Sequence, residues 1–120
     1  MVKTTGRLVM VLIMAGPLAV LPADPRDRGP DTIDVSTWPE KQQEQYKTFT
    51  VKCSKCHSLS RAINAKLKAD EWKLYVKKMK RRAGSGITDT NAEVLSEFLA
   101  YYSAVREGRA PAPAENGAAK

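Results

Sequence analysis

Only one histidine and two cysteines occur in the 120 residues of this chain, and acidic side chains are fewer than basic ones, 13 against 20. A closed structural zinc site takes four ligands, and two thiols with one imidazole fall short of that. Between residues 40 and 106 no stretch alternates apolar and polar residues at a period of two, so a strand-built fold, the thioredoxin type included, has no material there. Internal repeats are absent. Beyond residue 21 no apolar run approaches the roughly 20 residues that a bilayer span needs. The scarce residues that do occur stand together: "KCSKCH", residues 52 to 57, holds both cysteines and the lone histidine.

The chain opens with Lys3 and Arg7, an apolar run from Leu8 to Leu21 broken by Gly16 and Pro17, and small residues near Ala23. That is the layout of a secretory signal peptide over 1–23, cleaved after Ala23 or, as second choice, Ala19. The expected location is therefore periplasmic, with an uncleaved N-terminal membrane anchor as the alternative. Export leaves nucleic acid a poor partner. Without Lys3 and Arg7 the remainder is still basic. Residues 24–39, with Pro25, Pro30 and Pro39 and no hydrophobic period, read as a flexible linker. Residues 107–120 read as a disordered Pro/Ala tail. A domain over 40–106 is so small that its core is marginal without a staple.

Within that domain the periods are helical, which makes the fold class all-α, with three to four helices. The first helix follows Pro39 and continues through the cysteines, with Tyr46, Phe49, Cys53 and Cys56 on one face and Thr37 as N-cap. The second carries Trp72, Tyr75, Val76 and Met79 at i, i+3, i+4 and i+7. Asp70 and Glu71 open it, and Lys80, Arg81 and Arg82 close it before Gly84. The third has Val94, Leu95, Phe98, Leu99 and Tyr102 as its buried stripe, and Thr90 with Glu93 as a capping box.

The Cys-x-x-Cys-His run has three readings. As a disulfide it closes a tiny loop and stabilises little. As the dithiol of a thiol-disulfide oxidoreductase it lacks the strand that such sites adjoin. As a c-type haem attachment site it uses all three residues. Cys53 and Cys56 lie one helical turn apart, the reach of two vinyl groups on one porphyrin, and each becomes a thioether. His57 then serves as proximal iron ligand, its other ring nitrogen needing a hydrogen-bond partner.

From Gln43 to Ala104 the chain resembles the class I-like monohaem c-type cytochromes, small electron carriers of bacterial periplasms. The resemblance rests on Phe49, "CSKCH", "SLSR", "EWKLYVKKM" and "GITDTNAEVLSEFLAYY". It departs at Gln45, where relatives often have glycine, and in having no proline after His57 or beside Met79. The resemblance implies one covalent haem c, the cytochrome maturation machinery as a partner, single-electron transfer between redox proteins, and no enzymatic activity. It also implies methionine as the usual sixth ligand. Met1, Met10 and Met14 fall in the signal segment, so Met79 is the candidate. Met79 also completes an apolar stripe and reads equally as core. A lysine (Lys77, Lys78 or Lys80) and a vacant position, as in a five-coordinate gas-binding sensor, are the alternatives.

Trp72 reads as core filler or as a propionate contact through its indole N–H. Arg61 reads as solvated or as a second propionate contact. Lys66, Lys68, Lys73, Lys77, Lys78, Lys80, Arg81 and Arg82 form a basic run. Its plain reading is a solvated face. Its functional reading is a docking surface for an acidic redox partner, with Lys73, Lys77, Lys80 and Arg81 near the cofactor's rim.

Overall fold

Among the described residues of this computed structural model, Gly16 and residues 23–110, there are four α-helices and no strand. They are α1 (Glu40–Cys53), α2 (Ser60–Ile63), α3 (Ala69–Lys80) and α4 (Asp89–Arg106), preceded by a 3-10 turn at Pro25–Asp27. No described helix is long and apolar enough to cross a membrane. The expected signal segment, apart from Gly16 and Ala23, and the tail from residue 111 lie outside the described residues.

Two helix starts differ from expectation. In α1 the N-cap is Pro39 and makes no side-chain cap, so Thr37 sits outside the helix. In α4 the Thr88 hydroxyl accepts the Asn91 N–H at 3.1 Å, which starts the helix two residues before Thr90. Both threonines are capping residues by type, and the preceding glycine-rich turn decides between them. Thr88→Ala should therefore lower stability by about 1 kcal/mol. Thr90→Ala should change it by less than ~0.5 kcal/mol. Urea titration of both variants checks this, and equal losses would refute the assignment.

The first helix also stops at Cys53 instead of running on to His57. Ser54, Lys55 and Cys56 are exposed, so no apolar burial rewards another turn. Helix α3 follows the expected charge order. The Glu71 carboxylate accepts the Lys68 N–H at 2.6 Å at its start, and Lys77, Lys78 and Lys80 occupy its last turn.

Helix α4 is the spine, packed against both α1 and α3. Phe49, Trp72, Leu95, Phe98 and Leu99 are wholly buried, with Phe49 and Phe98 ring centroids 5.2 Å apart. Each such side chain contributes about 1.5–3 kcal/mol by leaving water. Gln45 is buried at the α1–α4 contact, and its amide donates to Glu97 Oε2 at 2.9 Å. The C-terminal half of α4 holds the chain between α2 and α3. Tyr102 donates to the Ile63 carbonyl at 2.7 Å, and Ser103 donates to that of Leu67 at 2.9 Å.

Residues 24–39 are not a free linker; this is a correction to the expected flexible segment. They form a strap along the helices. Trp38 is buried, its ring 5.1 Å from Tyr101 and 6.0 Å from Phe98. Ile33 donates its N–H to Tyr46 Oη at 3.0 Å. Ile33, Val35 and Trp38 pack on the core singly, without a helical or strand period, so periodicity offers no trace of them.

Candidate functional site

The end of α1, the turn after it, α2, the 65–67 link, α3 and the loop before α4 border a cavity of about 660 Å³ that is open to solvent on one side. Cys53, Cys56, His57 and Met79 all line it. Four residues spread over 27 positions of sequence thus meet at one space, and each is delivered differently. Cys53 is the last residue of α1, Cys56 and His57 follow in the turn, and Met79 lies in the last turn of α3. The apolar part of the lining comes from Ala62, Ala65, Leu67, Ala83 and Ile87.

The expected stripe of α3 divides between two surfaces. Trp72 and Val76 face the protein core, and Tyr75 and Met79 face the cavity. Trp72 does not line the cavity. Its indole N–H donates to Ser103 Oγ at 2.5 Å, so it is core filler and has no free donor for a propionate. Tyr75, read from the sequence as core alone, contributes a phenol whose titration burial pushes upward. Its spacing four residues before Met79 was the signal for a shared face.

Both cysteines are free thiols. Burial pushes the Cys53 thiol up to about 12, while Cys56 is exposed. His57 is half-buried, and its Nδ1 lies 3.2 Å from the Ser58 carbonyl oxygen, the partner that the sequence left unnamed. Among the described residues no three His, Cys, Asp or Glu side chains are grouped to hold a metal ion by themselves.

Arg61 lines the cavity but already has partners. Its guanidinium donates to Asp27 at 2.8 and 2.6 Å, and Asp24 lies at 3.3 Å. The strap also supplies Arg26 to the lining, a residue that no sequence signal marks. The Arg61 hydrogen bond holds the Asp27 carboxyl below the usual carboxylate range. A depressed native value means that this ion pair's stabilisation is complete above the unfolded-state value, about 4. It is lost as pH falls through the native value. Acidification should therefore loosen the turn around Asp27, and Asp27→Asn should loosen it at neutral pH, while Trp38 and the Asn64 contacts keep the rest of the strap in place. Amide exchange over residues 25–33 reads this; protection that is indifferent to both changes would refute it.

The basic run is also redistributed. Lys73, Lys77 and Lys80 line a separate groove between α3 and α4, shared with Asp89, Glu93 and Glu97, and Lys80 is paired with Asp89. This corrects the expectation that they lie at the cavity's rim. The basic side chains that line the cavity are Arg26, Lys52, Arg61, Lys78 and Arg82. Lys52 came from the wrong side of the motif to be noticed. It donates to the Gly86 carbonyl at 3.0 Å, fastening the loop before α4 to the cysteine turn. Gly86 has φ +62°, a backbone conformation that calls for glycine.

No protein-family model, no curated protein and no solved structure matches this chain.

Proposed function

We propose that the chain is a monohaem c-type cytochrome that passes single electrons between exported redox partners. One observation carries the reading: Cys53, Cys56, His57 and Met79 converge on a single cavity, large enough for a cofactor by the ~300–1,000 Å³ usual for such sites. The donor set fits the group. Two free thiols would hold haem c as thioethers. His57, engaged through Nδ1, keeps Nε2 for iron, and Met79 offers a soft thioether that favours the reduced state. When bound, haem c supplies a one-electron couple. The chain's own residues orient it, exclude water from one side and set its charge surroundings.

The thiol-disulfide alternative fits less well. Such dithiols stand where a strand meets a helix, and the described residues contain no strand. Absorption spectra of protein produced with cytochrome maturation machinery test the reading. A Soret band with sharp reduced bands is expected, and their absence would overturn it. A five-coordinate sensor would instead bind carbon monoxide without displacing a ligand.

Partner docking belongs to the cavity's own basic side chains. Positive charge there attracts an acidic protein over about 8 Å at physiological salt and speeds encounter more than it tightens the complex. Lys78→Glu with Arg82→Glu should slow electron exchange with an acidic partner several-fold at low salt and, because both side chains line the cavity, also lower the reduction potential. Lys73→Glu with Lys77→Glu, in the other groove, should do much less. Stopped-flow rates across a salt series separate the two pairs, and equal effects would remove the rim from the docking surface.

A further inference from the structure

We infer that Ser58 and Ser60, braced by the strap carbonyl of Gly29, are positioning residues that hold the His57 ring. This deepens the haem reading and rests on it for what His57 ligates. A carbonyl oxygen only accepts, so the 3.2 Å contact between His57 Nδ1 and the Ser58 oxygen requires the proton on Nδ1. Nε2 is then the bare nitrogen available as a ligand. A neighbouring residue's carbonyl orients a ring only if its own peptide is held, and this one is held from several sides. The Arg61 N–H donates to the same oxygen at 3.2 Å. The Ser60 N–H donates to Ser58 Oγ at 3.2 Å. Ser58 Oγ donates to Ser60 Oγ at 3.0 Å, and Ser60 Oγ donates onward to the Gly29 carbonyl at 3.1 Å.

The far end of this chain is itself fixed. Gly29 has φ +97°, a conformation suited to glycine, and a Cβ there would meet Asn64 Nδ2 at 3.2 Å. The Asn64 amide donates to the carbonyls of Arg28 and Pro30 at 3.2 Å each, on either side of Gly29. Three successive strap carbonyls are therefore anchored on α2. Ser60 is 1% exposed, so water does not replace a partner that it loses. No proline follows His57 to stiffen the turn. The strap supplies that stiffness from outside.

The rival explanation is that these serines only cap the short α2, and the test separates the two roles. Full-length Ser58→Ala, Ser60→Ala and the conservative Ser58→Thr are compared with wild type in the haem-loaded form. Haem content, measured first as the pyridine haemochrome, judges the cytochrome reading by itself. Ring-nitrogen and Nδ1–H signals of His57 in the reduced protein then judge the brace. In wild type the Nδ1–H should be present and slow to exchange. In both alanine variants its exchange should quicken roughly tenfold, the size of one lost hydrogen bond. The potential should also move positive, because an imidazole that loses its acceptor donates less charge to ferric iron. Ser58→Thr should restore both.

Lower melting temperatures with wild-type exchange and potential would overturn the inference and leave only a cap. If Ser60→Ala does not fold, Ser58→Ala, at a half-buried position, decides alone. If wild type carries no haem, the cytochrome reading fails, and the same ring signals in the haem-free chain decide the brace. A tautomer preference lost in the alanine variants supports it, and one that is unchanged overturns it.

Discussion

Replacing Cys53 and Cys56 together by alanine should yield a chain that retains no covalent haem and melts without a sharp transition. The cavity that they line is about 660 Å³. Without an occupant the apolar lining from Ala62, Ala65, Leu67 and Ile87 stays open to water on one side, and a domain is stable by only ~5–15 kcal/mol. The fully buried core elsewhere is short: Phe49, Trp72, Leu95, Phe98 and Leu99 are its large members. Calorimetry of the double variant gives the answer. A single sharp cooperative melt close to that of wild type would remove both the attachment role and the claim that the cavity needs an occupant.

Met79→Ala should leave attachment intact and change the iron site. Loss of the thioether should erase the far-red sulfur-to-ferric-iron band, lower the reduction potential and admit small exogenous ligands. The folding effect should be small by comparison, because Met79 lines the cavity and is absent from the buried core. That separation turns the two readings of Met79 into different outcomes. A core methionine would lose several kcal/mol, about 2–5 for truncation to alanine, with no spectral change. An unchanged spectrum would return the sixth position to the candidates Lys77, Lys78 and Lys80, and of these three Lys78 lines the cavity.

Helix existence was legible because it depends on local pattern. Trp72, Tyr75, Val76 and Met79 repeat at helical spacing, and α3 and α4 occupy the spans that their stripes mark. The boundaries were less legible. Several capping residues stand within two or three positions of each other, and the turn preceding α4 selects Thr88 over Thr90. The strap was invisible for another reason. Its apolar residues are single, and their burial depends on surfaces supplied by Tyr46, Phe98 and Tyr101 from distant helices.

By itself the sequence determined the helical class and the chemistry on offer: two thiols and an imidazole in one turn, and one methionine after residue 21. Those are properties of residue identity and spacing along the chain. Which stripe residues face the cavity was decided only in three dimensions, because Tyr75 and Val76 differ by one position and the crossing of α3 with α4 selects the one that is buried in the core. Tertiary structure also decided which basic residues reach the cavity, moving that role from Lys73, Lys77 and Lys80 to Arg26, Lys52, Lys78 and Arg82. Charge counts along a chain carry no direction; a helix's rotation against its neighbours supplies it.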